Sequence, residues 1–136
     1  MITYRDTTAG VAPEQLEGFF EGWPAAPNPA THLLLLENSA HVVLAVDDDS
    51  GRVVGFVNAV GDGVLTAYIP LLEVLPEYRG RGIGRELARR MLARLSHFYM
   101  VDLVCDRGLV PFYRQFGMVE NTGMMIRNPG RQSGGR

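Results

Sequence analysis

The densest chemistry in this sequence lies in Leu71-Leu72-Glu73-Val74-Leu75-Pro76-Glu77-Tyr78-Arg79-Gly80-Arg81-Gly82-Ile83-Gly84-Arg85. An apolar, β-prone run stops at Pro76. Three glycines follow at every second position, and a helical pattern begins near Ile83. Main-chain N–H groups at a helix start have no partner inside the helix and carry partial positive charge. Glycines let a ligand approach that backbone closely. Strand, glycine loop and helix start together form an anion site, most often for phosphate. Arg79, Arg81 and Arg85 add charged donors nearby. The spacing is not the dinucleotide fingerprint Gly-x-Gly-x-x-Gly, because Arg85 stands where its third glycine belongs. Asp102 does lie about twenty residues on, as that fingerprint asks. The preceding strands read as antiparallel, however, and 136 residues are too few for a doubly wound domain.

Composition removes most other chemistries. All thirteen basic residues are arginine. Without lysine there is no Schiff-base amine and no P-loop lysine. His32, His41 and His97 are far apart, and no His-x-x-x-His or Cys-x-x-Cys spacing occurs, so no metal site is expected and each reads as a surface or hydrogen-bonded residue. Gly-x-Ser-x-Gly is missing. The single cysteine, Cys105, allows no internal disulfide and reads as a strand residue. A net charge of −2 argues against a nucleic-acid or anionic-membrane partner. The longest aliphatic run, Leu33 to Leu36, is too short to cross a bilayer. The opening residues lack the features of a signal peptide, and a cytoplasmic location is expected.

The elements that must position the glycine loop follow from periodicity. Ile2 to Arg5 reads as a strand. Pro13 opens a helical pattern through Leu16, Phe19 and Phe20, which Gly22 ends. Asn28-Pro29 is a helix start, with a capping side chain and a residue of fixed φ, and the helix runs through Leu36. Val42 to Val46, Val53 to Val60 and Val64 to about Leu75 are strands joined by short turns, hence antiparallel neighbours. The helix after the loop carries Ile83, Leu87, Met91 and Leu95 on one stripe and arginines opposite. Tyr99 to Cys105 reads as a central strand. Pro111 opens a short helix stopped by Gly117, and Gly123 to Arg127 reads as a last strand. Residues 1–127 form one domain, and 128–136, rich in Gly, Pro and Ser, are expected to be disordered.

Arg79-x-x-Gly82-x-Gly84 after a strand ending Val74-Leu75-Pro76-Glu77 resembles the acetyl-CoA-binding motif of the GNAT N-acetyltransferases. Downstream, Pro111-Phe112-Tyr113-Arg114-Gln115-Phe116-Gly117-Met118 is similar to that family's Phe-Tyr-x-x-x-Gly-Phe segment. The resemblance spans roughly Val42 to Met125. It implies an α+β GNAT fold: a mixed, mostly antiparallel central sheet, splayed at the cofactor cleft and flanked by helices. It implies acetyl-CoA as cosubstrate and no metal. The pantetheine arm would pair with the strand near Val74, and the Leu72 amide would face the thioester carbonyl. Val74, Arg79, Gly80, Arg81, Gly82, Ile83, Gly84 and Arg85 would bind the cofactor, with the amides of residues 81–85 on the pyrophosphate. Tyr113 would protonate the departing thiolate.

The sequence departs from the family at two places. Asp106 stands where many members carry an asparagine that contacts the cofactor, and Tyr68 stands where some carry a glutamate base. Glu73 is near, but strand alternation can point it elsewhere, so no base is assigned. The expected activity is acetyl transfer to a primary amine of a small molecule or peptide, by direct attack in a ternary complex. A homodimer is a further expectation. The alternative is a non-catalytic acyl-CoA-binding sensor acting through a protein partner. Phe19, Phe20, Trp23 and Pro24 are either core or an aromatic wall of the acceptor pocket, which would suit an arylalkylamine.

Overall fold

The computed structural model describes residues 1–135. Five strands form one sheet in sequential order: β1 (Ile2–Arg5), β2 (His41–Asp47), β3 (Val53–Gly61), β4 (Thr66–Val74) and β5 (Met100–Asp102). The first four are antiparallel neighbours, as the short connections require, and β5 lies parallel to β4. Three helices accompany them: α1 (Pro29–Glu37), α2 (Ile83–Arg94) and α3 (Val110–Arg114). A parallel β4–β5 pair needs a crossover, and α2 supplies it.

β3 is the centre, with every residue from Val53 to Ala59 buried. Alternation sends its side chains to two different layers. On one face Gly55 admits α2: a Cβ there would lie 3.0 Å from Leu87 and 3.3 Å from Ile83. Only a residue without a side chain lets helix and sheet approach this closely. Ile83, Leu87, Met91 and Leu95 are all buried along that contact, each stabilising by about 1.5–3 kcal/mol relative to exposure. On the other face Phe56 meets Phe19 edge-on at 5.1 Å and His32 at 4.4 Å.

α1 begins as read from the sequence. The Oδ1 of Asn28 accepts the Thr31 N–H at 2.8 Å, with Pro29 in the first turn. Four other readings need correction. The pattern from Pro13 is a helix only as a single 3-10 turn, Pro13–Leu16. Beyond it Gly18 and Phe20 both take positive φ, which no helix tolerates. The strand expected over Tyr99 to Cys105 pairs only at Met100–Asp102. Gly123 to Arg127 is not a strand: no neighbour pairs with it, and Met124 and Ile126 are exposed. His32 is not a surface or hydrogen-bonded residue. It is 1% exposed, and among the described residues neither ring nitrogen has a hydrogen-bond partner.

The tail contains one 3-10 turn at Pro129–Arg131, and the Gln132 Oε1 accepts the Ala25 N–H at 2.7 Å. Arg136, the last residue of the tail expected to be disordered, lies outside the described residues.

Candidate active site

A bulge opens the site. Between the pairs Asn58↔Leu71 and Val60↔Tyr68, β3 advances two residues while β4 advances three. The extra residue falls at Ile69-Pro70, and proline, lacking an N–H, is at home in such an irregularity. Below the bulge β4 pairs with β5 for three residues, Thr66 to Tyr68. Above it the two strands diverge. A cleft of about 450 Å³ separates them, lined by Ile69–Leu72 on one side and by Leu103–Asp106, Leu109 and Tyr113 on the other. Met125 and Arg127, near the end of the domain, also line it.

Main-chain direction in β4 follows from one hydrogen bond. The Leu75 N–H donates to the Val54 carbonyl at 2.9 Å, so residue 75 faces β3. Peptide groups alternate along a strand in an antiparallel ladder. The N–H groups of Leu72 and Val74 therefore point away from β3, into the gap that β5 vacates. The Val74 carbonyl points the same way, where the Arg79 Nε donates to it at 2.9 Å.

The glycine loop joins β4 to α2 beside this strand. Gly82 is the residue before α2 and has φ +81°, with Gly80 at +78°. A Cβ on either would meet nothing within 4 Å, so the loop's outer surface is open. No side chain caps the helix start. That leaves first-turn N–H groups available to an anion. A Cβ on Gly84 would lie 3.7 Å from Val74 and 4.0 Å from Leu72, so the first turn of α2 rests on the cleft strand.

Of the three arginines, Arg85 is exposed on that first turn and makes no ion pair among the described residues. Arg81 lies over the Tyr78 ring at 4.9 Å and donates to the Glu77 carbonyl at 3.2 Å. Arg79 pairs with Glu21 at 2.8 Å besides holding Val74. Open N–H groups, flexible approach and local positive charge fit a diphosphate. The helix arginines further on form a solvated face: Arg89 and Arg90 both pair with Glu86 at 2.6 Å.

Tyr113 lies on α3 and lines the cleft across from Leu72. Burial, with a smaller contribution from Cys105, raises its phenol above the ordinary value of 10. It therefore holds its proton at neutral pH. Cys105 and Asp106 line the same cleft. Cys105 is thus a cleft residue beyond the end of β5, not a residue within the strand.

The sequence reading missed the role of Glu73. Its Oε1 accepts the Phe20 N–H at 2.9 Å and its Oε2 the Glu21 N–H at 3.3 Å. Pro70 inside a strand was the available signal for the bulge. For the Glu73 contact, made across 53 residues, there was none.

A sheet that splays between β4 and β5, with an uncapped helix start beside the splayed strand and Tyr113 lining the cleft, is the architecture that the glycine-loop motif led us to expect. Comparison with known proteins agrees. Residues 9–118 match the model of the acetyltransferase (GNAT) family, and the chain belongs to that family. Its α+β fold is the GNAT fold expected above. A crystal structure from Deinococcus radiodurans R1, to which acetyltransferase activity has been ascribed, superposes with a TM-score of 0.94 at 49% identity, covering 98% of this chain and 92% of that one. An uncharacterised N-acetyltransferase, ycf52, of Porphyra purpurea is 25% identical over 74% of this chain and 59% of its own length. The chloroplastic serotonin N-acetyltransferase 2 of Oryza sativa subsp. japonica is 35% identical over 60% of this chain and 43% of its own length. The chain thus spans less than two thirds of these curated relatives.

Among the described residues no helix is long and apolar enough to cross a membrane, and no cluster of His, Cys, Asp or Glu could hold a metal ion.

Proposed function

We propose that this chain transfers acetyl from acetyl-CoA to a primary amine by direct attack within a ternary complex. One observation carries the reading: β4 and β5 part company where the Leu72 N–H and the Tyr113 ring line a single cleft, beside an uncapped helix start.

The first-turn amides of α2, with Arg85, hold the diphosphate and fix the position of the thioester. The amine nitrogen attacks the carbonyl carbon, and negative charge gathers on oxygen. A preorganised N–H there, supplied by Leu72, is worth roughly 2.7–4 kcal/mol. As the C–S bond breaks, the Tyr113 O–H gives its proton to sulfur. A thiolate whose thiol has a pKa of about 8.5 is a weaker base than the Tyr113 phenolate, whose phenol burial holds above 10, so the transfer is uphill but spares the release of a bare thiolate. Water takes the proton lost by the amine and returns one to the Tyr113 phenolate, which restores the acid for the next turnover. Positioning both reactants in one cleft supplies most of the acceleration.

The acceptor we propose is an arylalkylamine. Phe19 and Phe20 belong to the core, but Phe20 lies tilted against Trp23 at 4.9 Å, and Trp23 remains 40% exposed. That wall suits an apolar ring, and one relative bears the name serotonin N-acetyltransferase. The test is thiol release from acetyl-CoA across a panel of amines. Release with arylalkylamines above polar aliphatic amines is expected. Saturable acetyl-CoA binding with no release beyond background hydrolysis would favour a sensor module and defeat the proposal.

A further inference from the structure

We infer that Glu73 positions the amine acceptor by clamping a strained turn, and that it is not the base of the reaction; the inference rests on the transferase reading above. Phe20 has φ +65°, alone among the described non-glycine residues in having a positive φ. A bulky aromatic residue adopts that conformation only where its surroundings over-determine it. Glu73 does so. Each of its carboxylate oxygens accepts one of two successive amides, at Phe20 and Glu21. Charged acceptors bind amides about twice as strongly as neutral ones.

The clamped turn sets the aromatic wall. Phe20 lies edge-on to His32 at 4.8 Å and against Trp23 at 4.9 Å. Two further ties join the same loop to the cleft. Glu21 pairs with Arg79, which holds the Val74 carbonyl. The Ala25 N–H donates to Gln132, in the tail that follows the cleft residues Met125 and Arg127. Because Glu73 follows Leu72 directly, its side chain leaves β4 on the opposite face from Leu72. One residue step thus registers the acceptor wall against the N–H that faces the thioester. Both oxygens are engaged with main-chain donors of the turn, so the carboxylate is held to that turn on the face of β4 opposite Leu72.

The pair Glu73→Gln and Glu73→Ala separates the roles. Glutamine keeps one carbonyl acceptor for the Phe20 N–H but cannot act as a base, whereas alanine keeps neither. Initial rates with saturating acetyl-CoA and an arylalkylamine are read beside hydrogen exchange at amides 20 and 21. We expect Glu73→Gln to keep kcat within about twofold with an unshifted pH profile, and Glu73→Ala to raise the amine KM roughly tenfold or more and to speed exchange at both amides. A collapse of kcat in Glu73→Gln with loss of the acidic limb of the profile would make Glu73 the base. Unchanged exchange and KM in Glu73→Ala would show that the turn needs no clamp. If alanine prevents folding, the glutamine variant still decides the base question. Absence of thiol release by the wild-type chain would strike the transferase reading, while exchange would still decide whether Glu73 holds the turn.

Discussion

The Arg79 Nε donates to the Val74 carbonyl oxygen at 2.9 Å, five residues back along the chain. The bond folds the segment after β4 onto the end of its own strand, so the glycine loop starts from a fixed point. The other arm of the guanidinium reaches Glu21, where both partners are about half exposed, and this ion pair contributes little by itself. Removing the guanidinium in Arg79→Ala should loosen the loop and weaken acetyl-CoA binding by about 1 kcal/mol, or roughly fivefold. Isothermal titration reads this directly. An unchanged Kd would mean that the loop is held by other contacts.

Tyr113→Phe keeps the ring and deletes the acid. Turnover should fall about 10²-fold or more, while the acetyl-CoA Kd stays near wild type because the phosphate grip lies elsewhere. Equal rates for the two proteins would take Tyr113 out of the chemistry.

Gly82 tests the anion site in two grades. At φ +81° any L side chain is strained, so Gly82→Ala should lower stability by roughly 1 kcal/mol. Its methyl would meet nothing within 4 Å, and it should still bind acetyl-CoA. Gly82→Glu adds the same strain plus a negative charge at the helix start, and binding should be lost. Retained affinity in the glutamate variant would place the phosphates somewhere else.

Buried among Phe19, Phe20 and Phe56, the His32 imidazole has its pKa lowered to about 4 from 6.5 by burial. Above pH 6.5 neither folded nor unfolded chain protonates it, and its contribution is level. As pH falls from 6.5 to 4 the unfolded chain takes up a proton that the folded chain refuses. Stability should therefore decline across that window by up to about 3 kcal/mol. Urea midpoints measured between about pH 7 and pH 4.5 should fall for the wild type and change much less for His32→Leu. Parallel slopes for the two proteins would refute the assignment.

Much of the architecture is local, and that part is legible in the sequence. Asn28-Pro29 announces a helix because cap and first-turn chemistry act within four residues. Ile83, Leu87, Met91 and Leu95 announce α2 because one apolar stripe suffices. The failures are tertiary. Leu16, Phe19 and Phe20 satisfy helical spacing, yet a carboxylate 53 residues away in β4 holds Phe20 left-handed. Leu103 to Cys105 are as β-prone as Met100 to Asp102, but a bulge on the neighbouring strand decides where pairing stops. Gly123 to Arg127 has the right composition and no partner strand. The glycine loop stood out by its three closely spaced glycines after a strand, and Tyr113 only through its segment's resemblance to the GNAT family. The clamp at Glu73 uses a common residue in an unremarkable position.

The irregularity at Ile69-Pro70 has a consequence for how this chain tolerates change. Every residue from Leu71 to Leu75 takes its facing from that one inserted position. Deleting a residue there would rotate the strand end by half a turn. The N–H now aimed at the gap would be swallowed by the ladder to β3, and the carboxylate now gripping Phe20 would swing toward α2. A single frame shift would thus disturb the proposed thioester site and the proposed acceptor wall together, with every downstream side chain intact.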